Sequence, residues 1–175
     1  MIDLAATIRN VPDFPKPGIQ FKDVTTLINN PAAFKQAINQ LARRYKGRGI
    51  QRVVGVEARG FIFGAALAYK LGVGFVPARK PGKLPAETLR EEYSLEYGTD
   101  ALEIHKDAIQ KGEKVLIIDD LLATGGTLAA TCRLVEALGG KIAEVVTIIE
   151  LIGLHGRAKL AGYPYHTLIA LEVHE

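Results

Sequence analysis

The sequence contains almost no cysteine and no long apolar run. Its single cysteine, Cys132, excludes an intrachain disulfide and any cysteine metal cluster within this chain of 175 residues. We expect such a chain in a reducing compartment, the cytoplasm. No apolar stretch approaches the roughly 20 residues of a membrane-spanning helix, and residues 1–4 lack the basic and apolar regions that begin a secretory signal. We therefore expect a globular protein without a membrane partner.

A strong charge of either sign is also missing. The net charge is +3 and the pI is about 9.0, which suits either a nucleic acid or an anionic small substrate. The basic residues at 43–48 close a predicted helix, where cations complement the helix dipole. Those at 79–83 lie in a predicted loop and are better candidates for holding phosphates.

Beyond residue 30 the apolar pattern alternates between helices and strands. A helix is predicted from the Asn30-Pro31 cap to about Tyr45. Further helices are predicted at 60–71, 127–138 and 154–160, and strands at 52–56, 74–78, 114–118, 142–151 and 167–173. Continuous apolar strands between helices indicate an α/β fold, a mostly parallel twisted sheet flanked by helices. We expect residues 1–175 to form one domain.

Two segments depart from this alternation. Prolines between residues 12 and 18 exclude regular structure there, and we expect residues 1–30 to form an arm. From 79 to 106 the chain is polar, with alternating patterns at 93–97 and 102–105 around a turn at 98–100. We expect an inserted antiparallel hairpin, which is either a flap over an active site or a structural decoration.

The most informative stretch spans residues 115–128. A buried strand leads to Asp119 and Asp120, small residues follow, and a helix begins. N–H groups at a helix start favour a phosphate, and carboxylates suit a cis-diol or a divalent cation. Because neighbouring side chains on a strand point to opposite faces, we do not expect the two acids to share a proton. The alternative is that both acids only begin a turn.

This stretch resembles the motif with which type I phosphoribosyltransferases bind 5-phosphoribosyl 1-pyrophosphate (PRPP). The resemblance implies that Asp119 and Asp120 hold the ribose hydroxyls. It implies a second group for the 5-phosphate, namely Ala123, Thr124, Gly125, Gly126 and Thr127. It also implies a homodimer, and Mg²⁺ that is carried by PRPP with no direct protein ligands.

Other segments resemble the adenine-specific members of that family: residues 14–23, 57–61, 79–85 and 94–98. The resemblance implies that adenine stacks on Phe21 and meets backbone groups of its two neighbours. It implies that Glu96 is catalytic and handles proton transfer at the purine. The implied binding residues are Gln20, Phe21 and Lys22 for adenine, and Ala58, Arg59, Lys83 and a neighbouring subunit's Arg79 for pyrophosphate.

Two of these positions depart from the family pattern. Adenine-specific relatives often carry a β-branched residue in place of Gln20 and an arginine in place of Lys22. If backbone atoms read the base, neither change matters. If the side chains read it, the choice of base changes.

On this resemblance we expect transfer of the 5-phosphoribosyl group from PRPP to adenine, which yields AMP and pyrophosphate. Two alternatives stay open: a different purine, namely xanthine, hypoxanthine or guanine, and a regulator that binds DNA or RNA without catalysis. The sequence shows no added helix-turn-helix segment and keeps the flap motifs. We therefore expect an enzyme without a nucleic-acid partner.

Overall fold

The computed structural model describes residues 1–95 and 97–173. Its central element is a parallel sheet made of β3 (Arg52–Val56), β4 (Gly74–Ala78), β7 (Lys114–Leu122), β8 (Lys141–Leu151) and β9 (Tyr165–Leu171). Their order across the sheet is β4-β3-β7-β8-β9, and every neighbouring pair is parallel. The predicted parallel sheet is therefore confirmed.

The long helices are α2 (Pro31–Tyr45), α3 (Arg59–Leu71) and α4 (Gly126–Ala137), and a short α1 spans Thr25–Ile28. The predicted cap of α2 is present, because the Asn30 side chain accepts a hydrogen bond from the Ala33 N–H at 3.1 Å. The helix predicted at 154–160 is wrong. Two 3-10 turns, Ile152–Leu154 and Gly156–Leu160, replace it, because His155 between them has a φ of 55°.

Helices cover both faces of the sheet, and alternate residues of β7 reach each side. Leu116 and Ile118 pack with α2 and α3 in one apolar cluster. Val115 and Ile117 pack with α4 in the other. Both faces are thus buried, which is why the strand reads as a continuous apolar run. Within the described residues, no helix combines the length and apolarity needed to cross a membrane.

The arm begins with a 3-10 turn at Ala5–Thr7 and continues as an antiparallel hairpin. Its strands are β1 (Arg9–Pro12) and β2 (Gln20–Asp23), with Val11 opposite Phe21. The expected irregular stretch at 12–18 is therefore mostly the connection of this hairpin.

The inserted hairpin is present, formed by β5 (Thr88–Ser94) and β6 (Thr99–His105). Its predicted turn at 98–100 is wrong, because Ser94 already pairs with Thr99 and the Leu95 N–H bonds to the Gly98 carbonyl at 2.9 Å. Glu96, predicted to be catalytic, lies outside the described residues.

β7 is longer than predicted. Its pairing with β8 continues to Leu122, so Asp119 and Asp120 lie within the strand instead of just after it. The extension follows from the length of β8, which reaches Leu151 and supplies hydrogen-bond partners throughout. The turn into α4 consequently occupies only residues 123–125.

Candidate active site

The candidate site lies where the order of the sheet reverses. The chain places β4 on one side of β3 and β7 on the other, and ligands of open α/β sheets bind at the carboxyl ends next to such a reversal. A cavity of about 290 Å³ lies there, bounded by residues 56–59 after β3, by residues 119–128 and by Lys80.

Residues 123–127 form a loop of small residues that leads into α4. Gly125 precedes the helix with a φ of 88°, a conformation that favours glycine. A Cβ on Gly125 would lie 2.5 Å from the carbonyl oxygen of Gly156, so the loop packs directly on another backbone segment. All five residues predicted to bind the 5-phosphate line the cavity.

The acid pair lies beside this loop. Arg59 donates from Nε to Oδ2 of Asp120 at 2.5 Å, and the Asp120 N–H donates to Oδ1 of Asp119 at 2.8 Å. Burial raises the pKa of Asp119 well above its ordinary value, and the negative charge of Asp120 raises it further. The Asp120 charge therefore acts on the Asp119 carboxyl group although the two residues are neighbours on one strand.

Ala58 and Arg59, which connect β3 to α3, line the same cavity. Burial lowers the pKa of Arg59, but the hydrogen bond to Asp120 and the charges of both aspartates outweigh it and raise the pKa. Gly60 allows the close packing, because a Cβ there would lie 2.9 Å from Oδ1 of Asp119. The residues predicted to bind pyrophosphate are thus in direct contact with those predicted to bind ribose.

The arm brings Phe21 next to this group. The Phe21 ring centroid lies 6.0 Å from Cζ of Arg59, and Phe14 packs edge-on against Phe21 at 5.2 Å. Phe21 is half-buried. The aromatic platform predicted from the sequence is therefore near the acid pair and its arginine.

Gln20 and Lys22 flank Phe21 in β2, and alternation along the strand places both on the face opposite to Phe21. Both are bound to Asn10: its amide donates to Gln20 Oε1 at 2.7 Å, and Lys22 Nζ donates to its Oδ1 at 2.9 Å. Sequence analysis missed Asn10, because its pairing with Lys22 depends on the hairpin register. With these side chains engaged, their backbone groups are the better candidates to meet a base.

The two flap cations predicted to bind pyrophosphate, Lys83 and Arg79, lie outside this cavity. Lys83 is exposed and lies outside the residues that line the cavity. Arg79 stacks on Phe61 at 5.6 Å, and its Nε lies 3.5 Å from Glu57 Oε1. Neither side chain lines the cavity, and Lys80 does so in their place.

Lys80 was not among the predicted site residues, although the sequence analysis grouped it with its neighbours as a phosphate candidate. Its Nζ donates to the Tyr93 hydroxyl at 3.2 Å and is hydrogen-bonded to Asp100. Burial lowers its pKa, but the bonds to Asp100 and Tyr93 raise it more. The Lys80 cation is therefore held at the cavity by the flap hairpin.

Among residues 1–95 and 97–173, no group of three or more His, Cys, Asp or Glu side chains forms a metal cage. Among those described residues, the carboxylates that line the cavity are those of Glu57, Asp119 and Asp120.

Comparison with known proteins matches residues 23–167 to the phosphoribosyl transferase domain family. An adenine phosphoribosyltransferase from Chloroflexus aurantiacus is 62% identical over 167 residues, covering 95% of this chain and 96% of the relative. The crystal structure of adenine phosphoribosyltransferase from Thermoanaerobacter pseudethanolicus has a TM-score of 0.93 at 56% identity, covering 97% of this chain and 98% of that one. The Saccharomyces cerevisiae enzyme, complexed with an imino-altritol bisphosphate and adenine, has a TM-score of 0.89 at 43% identity, covering 95% and 96%.

This sheet topology and the family match define a phosphoribosyltransferase of type I fold. The chain belongs to that family and, within it, to the adenine phosphoribosyltransferases.

Proposed function

We propose that the chain transfers the 5-phosphoribosyl group of PRPP to adenine, giving AMP and pyrophosphate. One observation carries the proposal: a carboxylate-bound arginine and the glycine-rich loop at 123–127 line one cavity at the reversal of the sheet, and the Phe21 ring lies 6.0 Å from that arginine. The near full-length similarity to adenine phosphoribosyltransferases supports adenine as the acceptor.

In this reaction the bond from ribose C1 to pyrophosphate breaks and a bond from C1 to the adenine N9 forms. Positive charge builds on the ribose, so the enzyme must align two substrates and exclude water. Residues 123–127 would hold the 5-phosphate through N–H and hydroxyl donors. Asp119 and Asp120 would accept from the ribose hydroxyls, once Arg59 turns to the pyrophosphate.

Arg59 is the first candidate to stabilise the leaving pyrophosphate, together with the backbone at Ala58. Lys80 lies in the cavity as a second cation. Lys83 would have to move inward with the flap to reach the same group, and Arg79 would act on a neighbouring subunit. Ala58, Arg59 and Lys80 thus line the cavity already. Lys83 would depend on closure of the flap, and Arg79 would depend on assembly of the dimer.

Adenine would stack on Phe21, with its edge meeting backbone groups of Gln20 and Lys22. Both side chains are hydrogen-bonded to Asn10, which supports recognition of the base by backbone atoms. On that basis the departures at these two positions leave the choice of adenine intact. The N9 proton would pass to Glu96, the proposed catalytic base, which lies outside the described residues.

Mg²⁺ would enter with PRPP and neutralise charge on the pyrophosphate. The ion would be held by the oxygens of PRPP and would need no direct protein ligand, which leaves Asp119 and Asp120 to the ribose hydroxyls. The chain itself would then align the two substrates, supply cations for the leaving pyrophosphate and exclude water.

We also propose a homodimer. Ile62 and Tyr69 lie seven residues apart on α3 and are 42% and 89% exposed, which leaves an apolar face uncovered. Arg79 is packed against the same helix through Phe61, and its buried Nε has no hydrogen-bond partner among the described residues. A second copy on this face would cover the helix and bring Arg79 near a neighbouring site.

The remaining parts of the proposal concern organisation and location. Residues 1–175 would act as one domain, with 1–30 as the base-binding arm and 79–106 as the flap. The cytoplasm fits a chain whose single cysteine, Cys132, is free and buried.

The test is to incubate the protein with PRPP, Mg²⁺ and each of adenine, hypoxanthine, guanine and xanthine, while nucleotide and pyrophosphate are measured. AMP from adenine alone is the expected result. Product only from an oxopurine would contradict the proposed binding of adenine by the arm. No product with any base would contradict the proposed transferase activity and would favour a regulator.

A further inference from the structure

One cation beside the phosphate loop has no role in the reaction described so far. Lys159 lies in the 3-10 turn Gly156–Leu160, and its Nζ is 3.8 Å from the position that a Cβ on Gly126 would occupy. Gly126 is the first residue of α4, where the 5-phosphate is proposed to bind. The Lys159 ammonium is therefore within one side-chain length of an anion at that helix end.

The turn that carries Lys159 is fixed to the phosphate loop by backbone packing. A Cβ on Gly125 would lie 2.5 Å from the Gly156 carbonyl oxygen, and one on Gly156 would collide with the Ala123 carbonyl oxygen. Leu160, at the end of the turn, is buried in the core cluster that includes α4. The turn cannot shift without moving the loop, so the base of Lys159 is held at a set distance from it.

The other cations nearby are already paired. Arg157 makes two hydrogen bonds of 2.6 Å to Glu150, and Arg133 donates to Glu91 at 2.7 Å. Lys159 has no hydrogen bond or ion pair with any of the residues that the structure describes. Lys159 is exposed and lines a second cavity of about 330 Å³, which shares Gly126 with the cavity at the acid pair. Among the described residues that line this second cavity, the one carboxylate is that of Glu92.

We propose that Lys159 binds the 5-phosphate of PRPP and of AMP together with the loop. This inference rests on the proposed function, because its ligand is a phosphoribosyl compound. The loop offers neutral N–H and hydroxyl donors, and a lysine adds the positive charge that a phosphate dianion favours. The adenine and pyrophosphate positions adjoin Phe21 and Arg59, so Lys159 acts on neither of them.

Lys159→Met keeps most of the side-chain stem and removes the charge. We expect the Kd for AMP to rise about five- to tenfold at low salt, as for a partly exposed charge-assisted hydrogen bond, and the difference to shrink as salt is added. The Kd values for adenine and for pyrophosphate should stay within about twofold, since neither carries the 5-phosphate. Calorimetric titration of all three ligands gives the comparison.

Two further variants separate charge from packing. Lys159→Arg keeps the cation and should retain most of the AMP affinity. Lys141→Met removes an exposed lysine at the amino end of β8, the end of the sheet away from the site, and should bind AMP like the wild type.

The outcomes distinguish this inference from the proposed function. If the wild type makes AMP and Lys159→Met binds AMP equally well, the role of Lys159 is overturned and the reaction stands. If the Arg variant loses as much affinity as the Met variant, or adenine and pyrophosphate weaken in parallel, the effect is one of packing and the inference is again overturned. A wild type that neither binds nor forms AMP would refute the proposed function itself.

Discussion

Gly125 is a position where both backbone conformation and space exclude a side chain. Its φ is 88°, and a Cβ would lie 2.5 Å from the carbonyl oxygen of Gly156. A left-handed residue with a Cβ costs roughly 1–2 kcal/mol, and the contact forces the loop to move. We expect Gly125→Ala to lower the free energy of unfolding by about 2 kcal/mol and PRPP affinity at least about tenfold.

Gly112 supplies the matched control, because its φ is 86° and no atom lies within 4 Å of the added Cβ. Gly112→Ala should lose about 1 kcal/mol and keep its PRPP affinity. Urea unfolding and calorimetric titration measure both quantities. Equal PRPP affinity in the two alanine variants would show that the contact with Gly156 does not shape the loop.

Asp23 ties the arm to α1, and its contribution depends on pH. It accepts from the Thr25 hydroxyl at 2.6 Å and from Arg9 Nε at 3.0 Å, and these bonds lower its pKa from 3.8 to about 2. Because the folded pKa is the lower one, the stabilisation is present above about pH 4 and is lost as the pH falls toward 2.

We expect Asp23→Asn to lower the free energy of unfolding at neutral pH by about 1–2 kcal/mol, with allowance for the exposure of Arg9. The gap between variant and wild type should close between about pH 4 and pH 2. Urea titrations across that range test this. A gap that stays constant would mean that the carboxylate charge is not the source of the stabilisation.

The Tyr93 hydroxyl group connects the flap hairpin to the loop at 123–127. Tyr93 on β5 accepts from the Thr127 hydroxyl at 3.3 Å and from Lys80 at 3.2 Å, and it lies 3.4 Å from Asp100. We expect Tyr93→Phe to raise the KM for PRPP about three- to tenfold, with a smaller change in kcat, because two phosphate-binding groups lose a common partner.

Tyr163→Phe is the control for that change. The Tyr163 hydroxyl also bonds to α4, but at Glu136 near the other end of the helix. Steady-state kinetics of both variants should separate them. The same KM for PRPP in both would contradict a specific role for Tyr93.

The strands of the main sheet could be predicted because each is buried on both faces, and its sequence shows this directly. The flap turn could not be placed in this way. The alternation of Tyr93, Leu95 and Tyr97 continues past the end of β5, whereas pairing ends at Ser94. Which residues pair across a hairpin depends on its partner strand, and a local pattern does not contain that information.

The same limit applies to the site. The loop at 123–127 and the acid pair are contiguous in sequence, so spacing alone predicted their grouping. Which of the cations at 79–83 lines the cavity depends on the path of the chain after β4. Arg79 pairs through its backbone with Glu103, and its neighbour Lys80 lines the cavity. Asn10 was missed for the same reason, because only the register of the arm brings it to Lys22.

Considered as a whole, the molecule brings its groups together at one edge of the sheet and leaves one helix face uncovered. The exposed Ile62 and Tyr69 on α3 adjoin the Arg79 side chain through Phe61. If dimerisation covers this face, Arg79 of one subunit can complete the site of the other. An isologous interface would then place two shared sites in each dimer.

Subunit mixing tests this arrangement. Arg79→Ala removes the arginine that a subunit would supply to its partner's site. Asp120→Asn removes a carboxylate from the subunit's own site. A mixed dimer then contains one complete site, in the Arg79→Ala subunit, which receives its arginine from the Asp120→Asn partner. After co-refolding at equal amounts, random pairing should restore about a quarter of the wild-type activity, although each variant alone is impaired. Activity equal to the average of the two separate variants would show that Arg79 acts within its own subunit, and a monomer on size-exclusion chromatography would remove the dimer from the proposal.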